Sequence, residues 1–257
     1  MAGESLNQVV SNLDEEPVTY ATVHSVRYAK TLQAIEVLPL SHRGAALEIG
    51  YTDVFQYALA RRFGFSEVWG TDRDMIGGNV QTRYEDIGGV SANIVKLNLE
   101  VDKFPLPDGK FDFILCAEVI EHMDVDPMFP MVEFSRLLAP GGLLFITTPN
   151  STSYAMLAKV VNGYRPHFYM QYQRNRSPYR HNYEHDRHSL EALGRASGFE
   201  TVNIKTVDVF GGPHAEGLKI CEQSGFTKAF RGDCLFYLGR KVSDVIERFP
   251  KEVYAPA

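Results

Sequence analysis

The sequence predicts an α/β fold in which a mostly parallel sheet is covered by helices on both faces. Two observations predict it. From Ala45 to Thr147, short runs that are mostly apolar, without a regular polar alternation, alternate with stretches of helical spacing. A strand without polar alternation is buried on both faces, and buried strands joined through helices run parallel. The composition agrees: 257 residues, 44% hydrophobic and 23% charged, suffice for one elaborated domain with a substantial core.

Residues 20 to 38 place Val23, Val26, Tyr28, Leu32, Ile35 and Leu38 at helical spacing, stopped by Pro39. Ala45 to Ile49 reads as a buried strand ended by Gly50. Val54 to Phe63 is a helix closed by Gly64, and Glu67 to Thr71 a second strand. Ser91 to Leu97 is the third. Phe111 to Ala117 is the fourth, introduced by the turn Pro107-Asp108-Gly109. Met128 to Leu138 is a helix that Gly141-Gly142 separate from the fifth strand, Leu143 to Thr147. Residues 151 to 188 are rich in aromatics and arginine with little strand signal, and read as an insertion. Ser189 to Ala196 is helical, and Thr201 to Val209 and Cys234 to Arg240 are two closing strands, one of them expected antiparallel. Residues 1 to 38 form an N-terminal segment and helix, and 39 to 257 the main domain with its insertion at about 151 to 188.

A net charge of −6 argues against a chain that coats DNA. Three cysteines without a CxxC pair give neither a disulfide framework nor a zinc site, which suits a reducing cytoplasm. The first 17 residues are polar and acidic, unlike a signal peptide, and no stretch reaches the apolar length of a membrane span.

In open α/β sheets, ligands bind beyond the carboxyl ends of the strands, where the strand order reverses. Gly50 ends the first strand, where a missing side chain lets backbone approach a ligand. Asp72 ends the second strand at the distance where an acid meets ribose hydroxyls. NAD and S-adenosylmethionine both fit so far. No G-x-G-x-x-G loop follows Gly50, however, because Tyr51, Thr52 and Asp53 stand there. A diphosphate needs that cradle and is repelled by carboxylates such as Glu48 and Asp53, whereas a cationic sulfonium is not. The balance favours S-adenosylmethionine.

The segments LEIG, TDRD, FPLPDGKFDFILCAEVIEHM and LLAPGGLLFITTPN resemble the class I S-adenosylmethionine-dependent methyltransferases. The resemblance is to the subgroup whose fourth strand runs into an E-V-x-E-H helix, and covers about residues 40 to 150. It implies a Rossmann-like, seven-stranded, mostly parallel sheet with a lid inserted after the fifth strand. His181-Asn182-Tyr183-Glu184-His185 is similar to the H-N-R-E-Y-[ST] segment of methyltransferases in bacterial glycan pathways, departing at Tyr183 and His185. By position, the resemblance gives Glu48 the methionine amino group and sets Gly50 along the methionine moiety, with Tyr51 beside it. It gives Asp72 the ribose, with Arg73 following, and puts Asn98 and the Leu99 backbone at the adenine. Cys116 and Ala117, at the end of the fourth strand, would face the sulfonium region. The family's Gly-x-Gly is broken here by Tyr51-Thr52.

Methyl transfer to a hydroxyl is helped by a general base, and histidine titrates in the right range. His122, next to Glu121 and just beyond the fourth strand, is one candidate. His181, in the insertion that would roof the site, is the other. The insertion holds Tyr164, Arg176, Arg180 and Tyr183 among further arginines and aromatics, which suit an anionic sugar or glycan acceptor. Glu118, Glu121, Asp124 and Asp126 read as a polar rim, and no metal is expected. The reading is a cytoplasmic O-methyltransferase of a sugar or glycan intermediate. Its rivals are a methyltransferase of another small metabolite such as a quinone, an RNA methyltransferase, and a binding module without turnover.

Overall fold

In the computed structural model, residue 22 and residues 24–74, 77–168 and 180–255 are described. Helix α1 (Ser25–Glu36) precedes strand β1 (Ala45–Ile49), helix α2 (Asp53–Arg61) and strand β2 (Glu67–Arg73). A hairpin of β3 (Gln81–Ile87) and β4 (Val90–Leu97) follows, then β5 (Phe111–Ala117) and a short 3₁₀ turn, Ile120–His122. Helix α3 (Met128–Leu137) runs directly into β6 (Leu138–Pro149). The chain closes with α4 (Tyr154–Val161), α5 (Arg187–Ala196), β7 (Phe199–Val207), α6 (Ala215–Ser224) and β8 (Cys234–Lys241).

One sheet holds all eight strands in the order β3-β4-β2-β1-β5-β6-β8-β7. β4, β2, β1, β5 and β6 are parallel neighbours, while β8 runs antiparallel between β6 and β7. The chain winds outward from β1 in both directions, so the crevice between the β2 and β5 sides opens above β1. Every residue of β1 is buried, which is why that strand contains no exposed polar position. Apolar clusters cover both faces. One packs Tyr28, Leu32 and Ile35 of α1 and Phe55 and Leu59 of α2 against the sheet. The other packs Met131 and Phe134 of α3 with Leu190 and Leu193 of α5.

Caps place the helices that matter for the site. The Thr52 side chain accepts a hydrogen bond from the Phe55 N–H and starts α2 directly after the β1 turn. Asp186 and Ser189 form a reciprocal capping box that starts α5 just after the His181–His185 segment.

The sheet has eight strands rather than the seven expected. The additional β3 pairs antiparallel with β4 through Gly88-Gly89, whose φ angles of 57° and 77° make the tight turn that glycine favours. Gly141-Gly142 lie within β6 rather than ahead of it. In α1 the buried face is Tyr28, Leu32 and Ile35, while Val26 is exposed; Val23 is outside the described residues. The insertion contains a helix, α4, where none was expected, and α6 was likewise unforeseen. No helix among the described residues is long and apolar enough to cross a membrane.

Candidate functional site

A cleft of about 740 Å³ opens at the carboxyl ends of β1, β2, β4 and β5. Glu48, Gly50, Tyr51, Asp72, Arg73, Asn98 and Leu99 all line it, together with Arg27 and Tyr28 of α1 and Ala117, Glu118 and His122 beyond β5. The strand ends bring these residues together from separate parts of the chain.

The turn after β1 is held from β2. The Gly50 N–H donates to Thr71 Oγ1 at 2.8 Å, and the Tyr51 N–H donates to the Thr71 carbonyl at 2.9 Å. Gly50 has φ of 70°, and a Cβ there would come within 2.9 Å of Val119 Cγ2. Glycine is required on both counts.

Glu48 is buried, and its carboxylate is already engaged. Oε1 accepts from the Thr52 N–H and hydroxyl, and Oε2 from Gln56 Nε2, each at 2.9 Å. Burial pushes its pKa up to about 8, against the opposing pull of those donors. This acid therefore fixes the first turn of α2 while closing one wall of the cleft.

Asp72 stands 40% exposed at the end of β2, its Oδ1 accepting the Arg73 N–H and its Oδ2 lying 3.1 Å from Arg83 Nη2. Arg83 belongs to the unforeseen β3 and also contacts Glu85 and the Tyr51 hydroxyl. The Gly88-Gly89 dipeptide was the one sequence signal that could have found it. Asn98 is positioned by Asp102, which accepts its N–H at 2.8 Å.

Cys116 does not reach the cleft. It is buried in the apolar cluster beneath the sheet, where burial raises its pKa well above the thiol range. In a strand covered on both faces, successive side chains alternate, and it is Ala117 and Glu118 that line the wall. Glu118 carries φ of 57°, a strained backbone for a residue with a side chain. Thr147 holds it there, donating its hydroxyl to Glu118 Oε1 at 2.9 Å and accepting the Glu118 N–H at 2.8 Å.

Next to Glu118, the structure brings Glu121, His122 and His181 together, with one ligand atom from each within 4.8 Å of the others. The two imidazole centroids are 5.0 Å apart. His122 Nδ1 donates to the Arg180 carbonyl at 2.8 Å, which leaves its Nε2 as the lone-pair nitrogen. Burial lowers the His122 pKa to about 4, so the ring is neutral near pH 7. So low a pKa makes it a weak base. His181 Nδ1 meets Glu184 Oε1 at 2.8 Å, and its Nε2 lies 4.0 Å from Glu121 Oε1. Glu121 Oε2 accepts from the Thr148 hydroxyl at 2.9 Å, while Oε1 is buried with no hydrogen-bond partner among the described residues. Burial and the nearby Glu118 charge hold the Glu121 carboxyl well above its ordinary pKa. The His181–His185 segment is clamped to this turn, since the Asn182 N–H donates to the Glu121 carbonyl and Asn182 Nδ2 to the His122 carbonyl. Glu184 was named in the sequence only as part of the His181–His185 segment, without a role of its own, and Thr148 was given none.

The residues expected to bind the acceptor are dispersed. Tyr164 is 70% exposed, and Tyr183 is half exposed with its ring against His185. Arg180 Nε donates to Asn182 and its Nη2 lies 3.4 Å from Asp124. Arg176 is outside the described residues. The cleft wall carries Asp53, Asp72, Asp74, Glu100, Glu118 and Asp124 against Arg27 and Arg73. Among the described residues this charge balance opposes an anionic acceptor and suits a cationic sulfonium.

The model of a methyltransferase domain family matches residues 27–204. The ubiquinone biosynthesis O-methyltransferase of Colwellia psychrerythraea is 36% identical over 73 residues, covering 28% of this chain and 29% of that protein. A protein of Mycolicibacterium smegmatis, by name an S-adenosylmethionine-dependent methyltransferase, is 27% identical over 124 residues, 45% of this chain and 43% of that protein. The chain thus matches less than half the length of either relative. Among solved structures, a SAM-dependent methyltransferase of Archaeoglobus fulgidus aligns with a TM-score of 0.57 at 17% identity, covering 89% of this chain and all of that one. One from Thermotoga maritima aligns with a TM-score of 0.54 at 21% identity, covering 87% of this chain and 93% of that one. These two likenesses concern the fold alone. With more than half its length inside the family model, and the cleft of that fold at its strand ends, the chain belongs to the class I S-adenosylmethionine-dependent methyltransferases.

Proposed function

We propose that this chain transfers the methyl group of S-adenosylmethionine to a hydroxyl of a small-molecule acceptor. The observation that carries this reading is the Glu121, His122 and His181 cluster at the β5 end of the cofactor cleft. A hydroxyl is a poor nucleophile until its proton is drawn away, so an O-methyltransferase needs polar groups at that end. The bound cofactor supplies an electrophilic methyl on a cationic sulfur.

The chain's own residues do the positioning. Asp72 takes the ribose hydroxyls at the end of β2, Asn98 and Leu99 border the adenine, and Gly50 admits the methionine tail. The carboxylates of the wall favour the positive sulfur over a diphosphate. His122 turns its lone pair toward the acceptor, and Glu121 and His181 stand behind it. Holding donor and acceptor in line is the larger part of the work.

The named ubiquinone biosynthesis O-methyltransferases favour a hydroxyl on a quinone precursor. A sugar hydroxyl is the second reading. It is favoured by the His181–Glu184 segment, similar to one in glycan-pathway methyltransferases, which packs against the same cluster. Labelled methyl transfer into polyprenylated phenols, catechols, nucleotide sugars and lipid-linked glycans tests both. His122→Ala should lower turnover on the accepted substrate on the order of 100-fold with cofactor affinity unchanged. Full turnover in that variant would refute the placement of the acceptor.

A further inference from the structure

We infer that strand β3 is a docking edge for a second copy of this chain, the two β3 strands pairing antiparallel about a two-fold axis through Tyr84. The inference goes beyond the proposed function and does not rest on it.

The edge is open. β3 ends the sheet on its side, and among the described residues no other strand lies against it. Gly88 and Gly89 both have positive φ in a two-residue turn, and Ile87 faces Val90 across it. These are the marks of a type I′ hairpin. The residues that close such a turn exchange both backbone hydrogen bonds, and along an antiparallel pair bonded and non-bonded positions alternate. Ile87, Glu85, Arg83 and Gln81 therefore direct their backbone groups to β4, whereas Asp86, Tyr84 and Thr82 direct theirs out of the sheet. All three of these outward residues are exposed, Tyr84 by 78%.

The two edges of the sheet differ. An edge that stays single is guarded by a bulge, a proline or a lysine. β7, at the opposite end, shifts register between Thr201 and Asn203 and carries Lys205. β3 reads Gln-Thr-Arg-Tyr-Glu-Asp-Ile, pairs with β4 in unbroken register, and has neither lysine nor proline.

β3 is also complementary to itself, which a two-fold contact requires. With the axis through Tyr84, each Arg83 faces Glu85 of the second copy, and each Thr82 faces Asp86 of the second copy. Opposite charges directly across a strand pair stabilise it, and like charges oppose it. Moving the axis to Arg83, Glu85 or Asp86 sets that charge against its own copy. Arg83 and Glu85 fall at a non-bonded position of the new pair, where side chains approach more closely. Their side chains are 39% and 31% exposed, so each can take a second partner beyond the bond they share. The two Tyr84 rings lie side by side at the axis, and the dimer covers an aromatic that one copy leaves in water. Since Arg83 also holds Asp72, the joined edge borders the cofactor cleft of each copy.

The test is sedimentation equilibrium of the full chain over a concentration series, with cysteine crosslinking to read the register. The wild type should form a dimer. Tyr84→Pro removes an outward N–H from each copy without touching a bond to β4, and should weaken the dimer at least about tenfold. Residues of a bonded pair lie about 5.5 Å apart at Cα, within the range of a disulfide. Tyr84→Cys should therefore crosslink two chains under mild oxidation. Asp86→Cys should not, because its copy lies four residues further along, roughly 14 Å away. The three native cysteines are buried and do not compete. Binding of S-adenosylhomocysteine by each variant shows that its fold is kept. A wild type that sediments as a monomer throughout would overturn the inference. So would a dimer undiminished in Tyr84→Pro, or crosslinking of Asp86→Cys as fast as that of Tyr84→Cys.

Discussion

Arg83 Nη2 lies 3.1 Å from Asp72 Oδ2, so the edge hairpin of the sheet steadies the acid that ends β2. The same guanidinium reaches Glu85 at 2.7 Å and the Tyr51 hydroxyl at 3.3 Å, tying the hairpin to the turn after β1. Both partners of the Asp72 pair are about 40% exposed, and such pairs are worth about 0–1 kcal/mol. Arg83→Ala should therefore leave thermal stability nearly unchanged and weaken S-adenosylmethionine binding by no more than about fivefold. A loss as large as that of Asp72→Ala would mean that Arg83 touches the cofactor itself.

Glu48 ties stability to pH. Its carboxyl, ordinarily titrating near 4.5, is held protonated to about pH 8 in the folded chain. Between those values folding takes up a proton. The contribution is thus fully present below about pH 4.5 and is lost as the pH rises through 8. One such group gives a slope of up to about 1.4 kcal/mol per pH unit. Denaturant unfolding of Glu48→Gln from pH 5 to 8 should show a flatter decline than the wild type. Parallel curves would show that Glu48 does not carry the dependence.

Gly50→Ala introduces a Cβ at φ of 70° and 2.9 Å from Val119 Cγ2. The left-handed backbone alone costs about 1–2 kcal/mol. The variant should melt earlier and bind cofactor more weakly, because the turn that admits the methionine tail must shift. Unchanged melting would show that the turn has room to relax.

Gly194 sits inside α5, where alanine would ordinarily help by about 1 kcal/mol. A Cβ there would fall 1.9 Å from the Tyr237 hydroxyl in the core. Overpacking costs about 1–3 kcal/mol, so Gly194→Ala should destabilise despite better helix propensity. Thermal melting decides the sign.

Much of this architecture was legible because burial on two faces leaves a continuous apolar run. Ala45–Ile49 and Phe111–Ala117 were read with the bounds they have. β3 escaped because Gln81–Ile87 is mostly polar and lies at the sheet's edge, where no apolar alternation is demanded. Asp72 could be placed from its register after β2, but its bond to Arg83 could not, since edge pairing is set by the fold. Cys116 shows a limit of another kind: a strand buried on both faces does not say in sequence which residue faces the ligand. The closeness of His122 and His181 likewise depends on Asn182 and Arg180 bonding back to the turn after β5. Composition does not say where the arginines of the insertion point, and only some of them are among the described residues. Arg187 stacks 4.4 Å from the Phe230 ring, and Arg180 turns to Asp124.

The most direct measurement is calorimetric titration of the full chain and of Asp72→Ala with S-adenosylmethionine and, separately, with NAD. Hydrogen bonds to a charged group are worth about 1.5–3 kcal/mol, so one equivalent of S-adenosylmethionine should bind the wild type and roughly 10- to 150-fold more weakly to the variant, with no heat from NAD. Equal affinity in the two proteins, or binding of the dinucleotide in its place, would contradict the account.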